Sequence, residues 1–251
     1  MSILLVMFIL GLLLGFVGAG GAGVVIAVLT TVFNIPIHMA LGTSLSAMAC
    51  TTLSGAYSHF REKNVIVRLG ISIGGFGAAG AFIGAKISAG IAPDLLHILT
   101  AMMLFTSAAL IFFKVFYLKP ADKKTERLRP LYGKKFWGLS VAAGLFNGIL
   151  SGTFGVGATP FIQLTLLFFF GTTLFQSVGT TMLIILPIAI MGGIGYLTSG
   201  LLDLRLFIEV VIGLMTGAYI GAKFTKKLPV SFLKVTMVAI PLIGGIMLIH
   251  R

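Results

Sequence analysis

The sequence predicts an all-α polytopic membrane protein made of two homologous halves, each with four hydrophobic segments. Of its 251 residues, 58% are hydrophobic and 10% are charged, whereas a soluble domain of this size carries roughly 25% charged residues. Two glycine-rich runs interrupt hydrophobic segments at matching places in the two halves, and short motifs recur at a constant offset. The composition, the interruptions and the repeat together predict the fold class.

Eight hydrophobic blocks are long enough to cross a bilayer, which requires about 20 apolar residues. They cover residues 2–33, 37–58, 66–89, 94–117, 137–170, 174–198, 204–224 and 230–249. The blocks at 2–33 and 137–170 are too long for one straight crossing, and each contains a glycine-rich run. We expect these two segments to be broken or re-entrant, because glycine interrupts a helix and a membrane tolerates freed backbone only inside protein or beside a cavity.

The two halves repeat each other's motifs. The sequence Ala-Phe-Ile-Gly-Ala-Lys at 81–86 returns as Ala-Tyr-Ile-Gly-Ala-Lys at 218–223, which is 137 positions later, and Leu-Gly-Thr-Ser at 41–44 returns as Val-Gly-Thr-Thr at 178–181. Recurrence in order at one offset indicates a duplication. The chain therefore divides into an N-terminal transmembrane repeat (1–118), a basic linker (119–135) and a C-terminal transmembrane repeat (136–251).

The distribution of basic residues bears on the orientation of the halves. If blocks one and five each cross once, the halves are parallel, with 13 basic residues on one side and 5 on the other. If both are hairpins bent at the glycines, the halves are inverted and the split becomes 15 against 3. The positive-inside rule favours the inverted repeat. Both arrangements place the 119–135 linker in the cytoplasm and predict a multi-pass protein of the inner membrane.

The net charge of +12 sits mostly in loops, so the lipid bilayer explains it better than nucleic acid does. The single cysteine, Cys50, excludes an intrachain disulfide. Gly18, Gly20 and Gly23 spell G-x-G-x-x-G, but they follow an apolar helix and no acidic residue follows at the required distance, so a dinucleotide is not expected. We expect no cofactor and no metal, and the sequence leaves a homo-oligomer open.

The glycine runs predict an anion site made by the backbone. A helix that restarts after a break presents free N–H groups and the positive end of its dipole, which together bind anions without a charged side chain. Hydroxyl and amide side chains on the following helices add donors. The predicted substrate-binding residues are Gly20, Gly21, Gly23, Thr43, Ser44, Gly152, Gly155, Gly157, Gln176, Thr180 and Thr181, with Asn147 and Gln163 as further candidates beside the second run.

Each of these features also has a purely structural interpretation. Glycines permit close helix packing, and Ser and Thr in membrane helices often bond to their own backbone. Glu209 has two interpretations as well. It forms a surface couple with Arg205 at the i,i+4 spacing, or it is a carboxylate that takes up a proton during transport.

The chain resembles the sulfite exporter TauE/SafE family. The resemblance rests on the glycine-rich broken helix, the run Ala-Leu-Gly-Thr-Ser at 40–44, and Ser151-Gly152-x-x-Gly155-x-Gly157 followed by Pro160. It covers nearly the whole chain. It implies a transporter of the inner membrane for small sulfur-containing or organic anions, such as sulfite, sulfonates like sulfoacetate, and thiosulfate-like species.

These observations predict a secondary transporter of a small oxyanion that works by alternating access around a site between the halves. A passive anion channel is the first alternative. An intramembrane enzyme is the second, and the sequence argues against it. There is no H-E-x-x-H and no aspartate pair in a span, and Ser44 with His59 lacks the glycine pattern around a serine nucleophile. We therefore expect that the protein is not an enzyme.

Overall fold

The computed structural model describes residues 2–17, 22–116, 133–225 and 230–250, and these residues form ten helices. The first half contains α1 (Ile3–Val17), α2 (Ala22–Thr31), α3 (Ile37–Arg61), α4 (Val67–Ala89) and α5 (Pro93–Phe116). The second half contains α6 (Lys134–Phe154), α7 (Thr159–Phe170), α8 (Leu174–Thr198), α9 (Leu204–Thr225) and α10 (Val230–Ile249). The glycines at 18, 20 and 21 and the linker at 119–132 lie outside the described residues.

The helical fold class predicted from the sequence is confirmed. Among the described residues, four helices are both long and apolar enough to span a membrane: Val67–Ala89, Pro93–Lys114, Phe175–Thr198 and Leu204–Gly221. Shorter apolar helices include Ile3–Leu14, Ala22–Thr31 and Thr159–Phe170. The predicted block boundaries agree with the observed helices closely, because loops between membrane helices begin where the apolar run stops.

The fifth predicted block is two helices separated by a sharp bend. Helix α6 ends at Phe154, and Gly155 follows with a φ of 65° and its N–H bonded to the Ser151 carbonyl. Gly157 has a φ of 73°, and α7 begins at Thr159. Glycine adopts positive φ without strain, so Gly155 and Gly157 favour the bend, which also places Ala158 at a φ of 43°.

Glycine seams join helices from different halves. A Cβ added to Gly148 of α6 would lie 2.1 Å from the Gly77 carbonyl oxygen of α4, and one added to Gly152 would lie 2.1 Å from the Ala81 carbonyl oxygen. A similar seam joins α1 to α9, where a Cβ on Gly217 would lie 2.1 Å from the Phe8 carbonyl oxygen. Small residues let membrane helices approach to backbone contact, so these seams fix α4 on α6 and α1 on α9.

Helices α3 and α8 pack antiparallel through the buried core. Gly42 faces Tyr196, whereas Gly55, thirteen residues later on α3, faces Met182 near the start of α8. The ends of α4 and α8 meet, since Lys86 Nζ donates to Ser199 Oγ at 3.1 Å. Parallel halves would put Lys86 and Ser199 on opposite faces of the membrane. The contact therefore favours the inverted repeat, which stays a prediction.

Candidate functional site

A cavity of about 550 Å³ lies among helices of both halves. Helix α3 contributes one long wall, and α7, α8 and α9 contribute from the second half. The lining residues are Gly11, Leu14, Ala22, Val25, Ser44, Ala47, Met48, Thr51, Thr52, Ser54, Gly55, Ser58, His59, Ile111, Lys114, Thr159, Pro160, Gln163, Val178, Met182, Leu214, Met215, Ala218, Tyr219 and Met237.

The cavity runs from the buried centre of the protein toward the C-terminal end of α3. Its inner residues Ala22, Ser44 and Thr159 are buried, whereas Ser54 and Ser58 are exposed. The distance from Ser44 to Ser58 along α3 is about 21 Å at 1.5 Å per residue. The cavity thus reaches deep into the protein from the face that carries Arg61, and basic-residue counts predict that this face is cytoplasmic.

The bend between α6 and α7 forms part of the inner end. A Cβ on Gly157 would collide with the side chain of Met48, which lines the cavity, and Gly155 packs on the backbone of Leu41. Thr159 and Pro160, in the first turn of α7, line the cavity directly. Pro160 has no N–H, which reduces the backbone donors of this turn. Hydrogen-bond donors on side chains therefore supplement the backbone N–H groups at the start of α7.

Three polar side chains from α5 and α7 line the cavity. Lys114, half-buried near the end of α5, donates a hydrogen bond to Gln163 Oε1 of α7. Gln163 is 8% exposed, and Thr159, one turn earlier on the same helix, is 3% exposed. The Thr159 hydroxyl has no hydrogen-bond partner among the described residues. Lys114, Gln163 and Thr159 form what we call the donor cluster, a set of hydrogen-bond donors that line the cavity.

No carboxylate of the described residues pairs with Lys114; the recorded ion pairs involve His59 with Glu62 and Arg205 with Glu209. Among the described residues the recorded partner of Lys114 is a neutral amide, and a half-buried ammonium group with such a partner is costly to desolvate. An anion bound in the cavity would remove that cost. The charge of Lys114 therefore makes the inner end attractive to a negative solute.

The remaining wall is largely apolar and rich in methionine. Met48, Met182, Met215 and Met237 come from α3, α8, α9 and α10 and all line the cavity. Methionine is flexible and polarizable, so it adapts to ligands of different shape. The methionine side chains can thus adjust to apolar ligand surfaces of different shapes.

A network of buried hydrogen bonds lies at the end of the cavity opposite Ser54 and Ser58. The hydroxyl of Tyr196, which is fully buried, donates to the Gly152 carbonyl oxygen at 2.8 Å and lies 3.0 Å from Ser88 Oγ. His38 Nε2 lies 3.0 Å from the Ser88 carbonyl oxygen. These contacts join α3, α4, α6 and α8, so the cavity is closed at this end by hydrogen-bonded helices.

The structure brings only part of the predicted site into the cavity. Among the predicted substrate-binding residues that the structure describes, Ser44 lines the cavity, and its hydroxyl donates to the Ala22 carbonyl at 3.1 Å. Thr43 and Thr181 are buried and have no hydrogen-bond partner within the described part of the chain, and Thr180 accepts from the Ile66 N–H at 3.0 Å. Gln176 forms a capping box with Thr173 at the start of α8.

The predicted glycines occupy packing or turning positions. Gly23 is buried in α2 against Leu104, and Gly152 packs on Ala81. Gly155 and Gly157 form the bend, while Gly20 and Gly21 lie outside the described residues. The roles of the predicted residues in substrate binding stay predictions.

Glu209 sits on α9 in contact with Arg205, whose Nε lies 3.4 Å from Glu209 Oε1. The Arg205 side chain is 89% exposed, and neither residue lines the cavity. This geometry fits an exposed i,i+4 ion pair between Arg205 and Glu209. Proton coupling through Glu209 stays a prediction.

The sequence argument missed Lys114 and ranked Gln163 below the glycines. Lys114 lies five residues before the basic linker, so in the sequence it looks like one more loop charge. Its contact with Gln163 depends on how α5 packs against α7, which no local pattern records. The sequence does show that Lys114 stands alone at the end of an apolar segment. It also shows that an amide residue, Gln163, follows Pro160 by three positions.

Comparisons with known proteins indicate membrane transport. A family profile described as "Sulfite exporter TauE/SafE" matches residues 3–248. The chain belongs to the sulfite exporter TauE/SafE family. The resemblance seen in the sequence is thus confirmed, and the chain is a multi-pass membrane transporter.

Relatives of the TauE/SafE family cover nearly the whole chain. "Probable membrane transporter protein YdhB" of Bacillus subtilis (strain 168) is 51% identical over 249 residues, which are 99% of this chain and 100% of the relative. "Probable membrane transporter protein YjnA" of the same organism is 26% identical over 99% of both chains. "Probable membrane transporter protein MJ0441" of Methanocaldococcus jannaschii is 23% identical over 98% of this chain and 94% of the relative. No solved structure matches the chain significantly.

Proposed function

We propose that this transporter moves a small oxyanion, such as sulfite or a sulfonate like sulfoacetate, across the inner membrane by alternating access. The observation that carries the proposal is the cavity between the two halves, whose inner end combines the bend after Phe154 with the donor cluster. Broken helices at the interface of two repeats are where secondary transporters bind their substrates. The description of the matching family as a sulfite exporter supports the choice of anion.

The one-sided cavity supports a carrier. Its exposed end lies at Ser54 and Ser58, and the opposite end is closed by the hydrogen bonds of Tyr196 and His38. In a carrier, closing one end and opening the other moves the site from one face to the other. The conformation described here is therefore the one open to the face that carries Arg61.

A passive channel is distinguished from this carrier by its flux. Purified protein in sealed vesicles loaded with unlabelled sulfite should accumulate labelled sulfite transiently against its gradient, since a carrier exchanges one anion for another. The flux should also saturate. Linear flux without counterflow would show a channel instead.

The bend supplies a sharper test of the site. Replacing Gly157 with alanine forces a side chain onto a φ of 73° and toward Met48. A left-handed conformation costs a non-glycine residue about 1–2 kcal/mol. We therefore expect Gly157→Ala to lower the initial rate of sulfite counterflow by about tenfold, with membrane insertion unchanged.

The matched control is Gly138→Ala on α6, since a Cβ there meets nothing within 4 Å. That variant should transport at the wild-type rate. If Gly157→Ala transports as well as Gly138→Ala, the bend is not part of the transport site.

A further inference from the structure

Helices α4 and α6 run parallel along their glycine seam, so their first turns lie side by side. A Cβ on Gly144 of α6 would lie 2.6 Å from the Ile73 carbonyl oxygen, whereas one on Gly152 would lie 2.1 Å from the Ala81 carbonyl oxygen. Helix α4 follows the end of α3, so both first turns lie on the face that carries Arg61. Basic-residue counts predict that this face is cytoplasmic.

The place where these two first turns meet, which we call the basic corner, carries three cations. Arg68 lies in the first turn of α4, Lys134 and Lys135 begin α6, and all three residues are exposed. Neither helix contains an aspartate or a glutamate. The two lysines take part in neither of the ion pairs found among the described residues. Because cations at the start of a helix also oppose its dipole, an anion bound here would stabilise the corner.

Aromatic rings position one of these cations and extend the basic corner toward the lipid. The guanidinium carbon of Arg68 lies 4.3 Å from the centroid of the Phe136 ring, which is buried. The Trp137 ring packs edge-to-face against Phe136 and Phe76, at centroid distances of 5.7 and 6.4 Å, and Trp137 is 53% exposed. A guanidinium is attracted to the face of an aromatic ring, and tryptophan is enriched at the headgroup level of a bilayer. The corner therefore combines a positioned cation with an interfacial anchor.

We propose that the basic corner binds the headgroup phosphate of an anionic phospholipid from the cytoplasmic leaflet. Arg68, Lys134 and Lys135 donate charge-assisted hydrogen bonds to the phosphate oxygens, while Trp137 packs against the glycerol and the adjoining acyl chains. Basic pockets between membrane helices on the cytoplasmic side bind anionic headgroups in this way. A soluble phosphate would gain the electrostatic part alone, since it has no chains for Trp137 to contact. The site is independent of the solute that the protein transports.

Trp137 is the only tryptophan of the chain, so tryptophan fluorescence reports on this corner alone. We would reconstitute the full-length protein in phosphatidylcholine vesicles with a fixed fraction of either phosphatidylglycerol or phosphatidylcholine that carries brominated chains. Bromine quenches tryptophan on contact, so the quenching gives the relative binding constant of the two lipids beside Trp137. Brominated phosphatidylglycerol should be preferred by about fivefold for each basic residue that contacts its phosphate. Added salt should reduce this preference, because it screens exposed charges.

Charge variants locate the preference within the corner. The double variant Lys134→Gln/Lys135→Gln should lower the relative binding constant by about fivefold per lysine. Arg68→Gln should lower it as well, whereas Arg68→Lys should recover part of it, because lysine keeps the charge without the planar contact with Phe136. The control is Arg61→Gln, which removes one positive charge from an exposed position on the same face, at the end of α3. Its lipid preference should equal that of the wild type.

Equal quenching of the wild type by the two brominated lipids would show that Trp137 contacts bulk lipid alone, and the proposal would be wrong. It would also be wrong if the double lysine variant kept the wild-type preference, or if Arg61→Gln lost as much of it. If inorganic phosphate abolished the preference at constant ionic strength, the corner would bind a soluble anion and not a lipid. Quenching by brominated phosphatidylcholine should be the same in every variant, which checks that Trp137 keeps its place. The exposed lysines carry the test even if Arg68→Gln disturbs the packing on Phe136.

Discussion

The hydroxyl of Tyr196 links the end of α6 to α4 and α8 at the closed end of the cavity. Its side chain is fully buried, and it donates to the Gly152 carbonyl at 2.8 Å, one turn before the bend. A buried acceptor that loses its donor destabilises the protein by about 1–3 kcal/mol. A single oxygen atom therefore helps to hold the bend in place.

Replacing Tyr196 with phenylalanine removes only that oxygen. We expect the midpoint of thermal unfolding in detergent to fall by several degrees, because Gly152 loses its partner, and we expect the counterflow rate to fall with it. Tyr57→Phe is the control, since Tyr57 is 67% exposed and occupies the corresponding place in the predicted repeat. Equal midpoints for the two variants would contradict a structural role for the Tyr196 hydroxyl.

Glu209 allows a test of proton coupling at a single carboxylate. Because it contacts the exposed Arg205 and lies outside the cavity lining, we expect Glu209→Gln to leave the pH dependence of sulfite flux unchanged. Exposed ion pairs contribute about 0–1 kcal/mol, so stability should change little. A flattened pH profile would show instead that this carboxylate takes up the coupled proton.

Individual site residues were harder to predict than the glycines around them. The bend at Gly155 and Gly157 was predicted from a dense glycine run in an apolar segment that is too long for one crossing. Glycine pairs alone do not break a helix here, since Gly74-Gly75 and Gly192-Gly193 lie within α4 and α8. Lys114 depends on tertiary packing: only the approach of α5 to α7 turns a linker-like lysine into the partner of Gln163. Ser44 was predicted because hydroxyl residues follow the glycine runs at corresponding places in the two halves.

At the level of elements, the α4–α6 seam combines close glycine packing with a hydrogen bond from the Thr153 hydroxyl to the Gly84 carbonyl at 3.3 Å. Gly148 has the Gly77 carbonyl 2.1 Å from the place where a Cβ would stand. An added methyl group must push the two helices apart. Overpacking of this kind costs about 1–3 kcal/mol.

We therefore expect Gly148→Ala to lower the thermal unfolding midpoint measurably. Gly75→Ala is the control, because it lies on α4 itself and a Cβ there meets nothing within 4 Å. The comparison separates steric conflict from the general effect of alanine on a helix. If the two midpoints shift alike, the seam is looser than the structure indicates.

Helix positions follow from the sequence because hydrophobic length is a local property. Block 66–89 became α4 (Val67–Ala89) and block 174–198 became α8 (Leu174–Thr198). The pairing of these helices was not predicted. Whether α1 packs on α9 or on a helix of its own half depends on which glycine-bearing faces contact each other. Because most segments of this chain contain glycine, the sequence does not identify the partner helix.

For the whole molecule, the side of the membrane on which each loop lies distinguishes inverted halves from parallel halves. The inverted repeat places Ser58 inside and Ser199 outside, whereas parallel halves would place both inside. In a background lacking the single cysteine (Cys50→Ser), we expect Ser58→Cys to react with a membrane-impermeant thiol reagent only from the cytoplasmic face. Ser199→Cys should react only from the outer face.

Inside-out and right-side-out vesicles supply the two faces. Bound substrate should also protect Ser58→Cys, which lines the cavity, and leave Ser199→Cys unprotected. Labelling of both positions from the cytoplasm would establish parallel halves and overturn the inverted repeat.

In the predicted repeat, Gln163 corresponds to residues 26–29 of α2, which are all apolar. If the proposed carrier exposes its two halves in turn, this amide would face the solute in one orientation and a hydrocarbon surface would face it in the other. We therefore expect unequal apparent affinities when flux is measured from the two sides of the membrane, with Gln163→Leu reducing the difference.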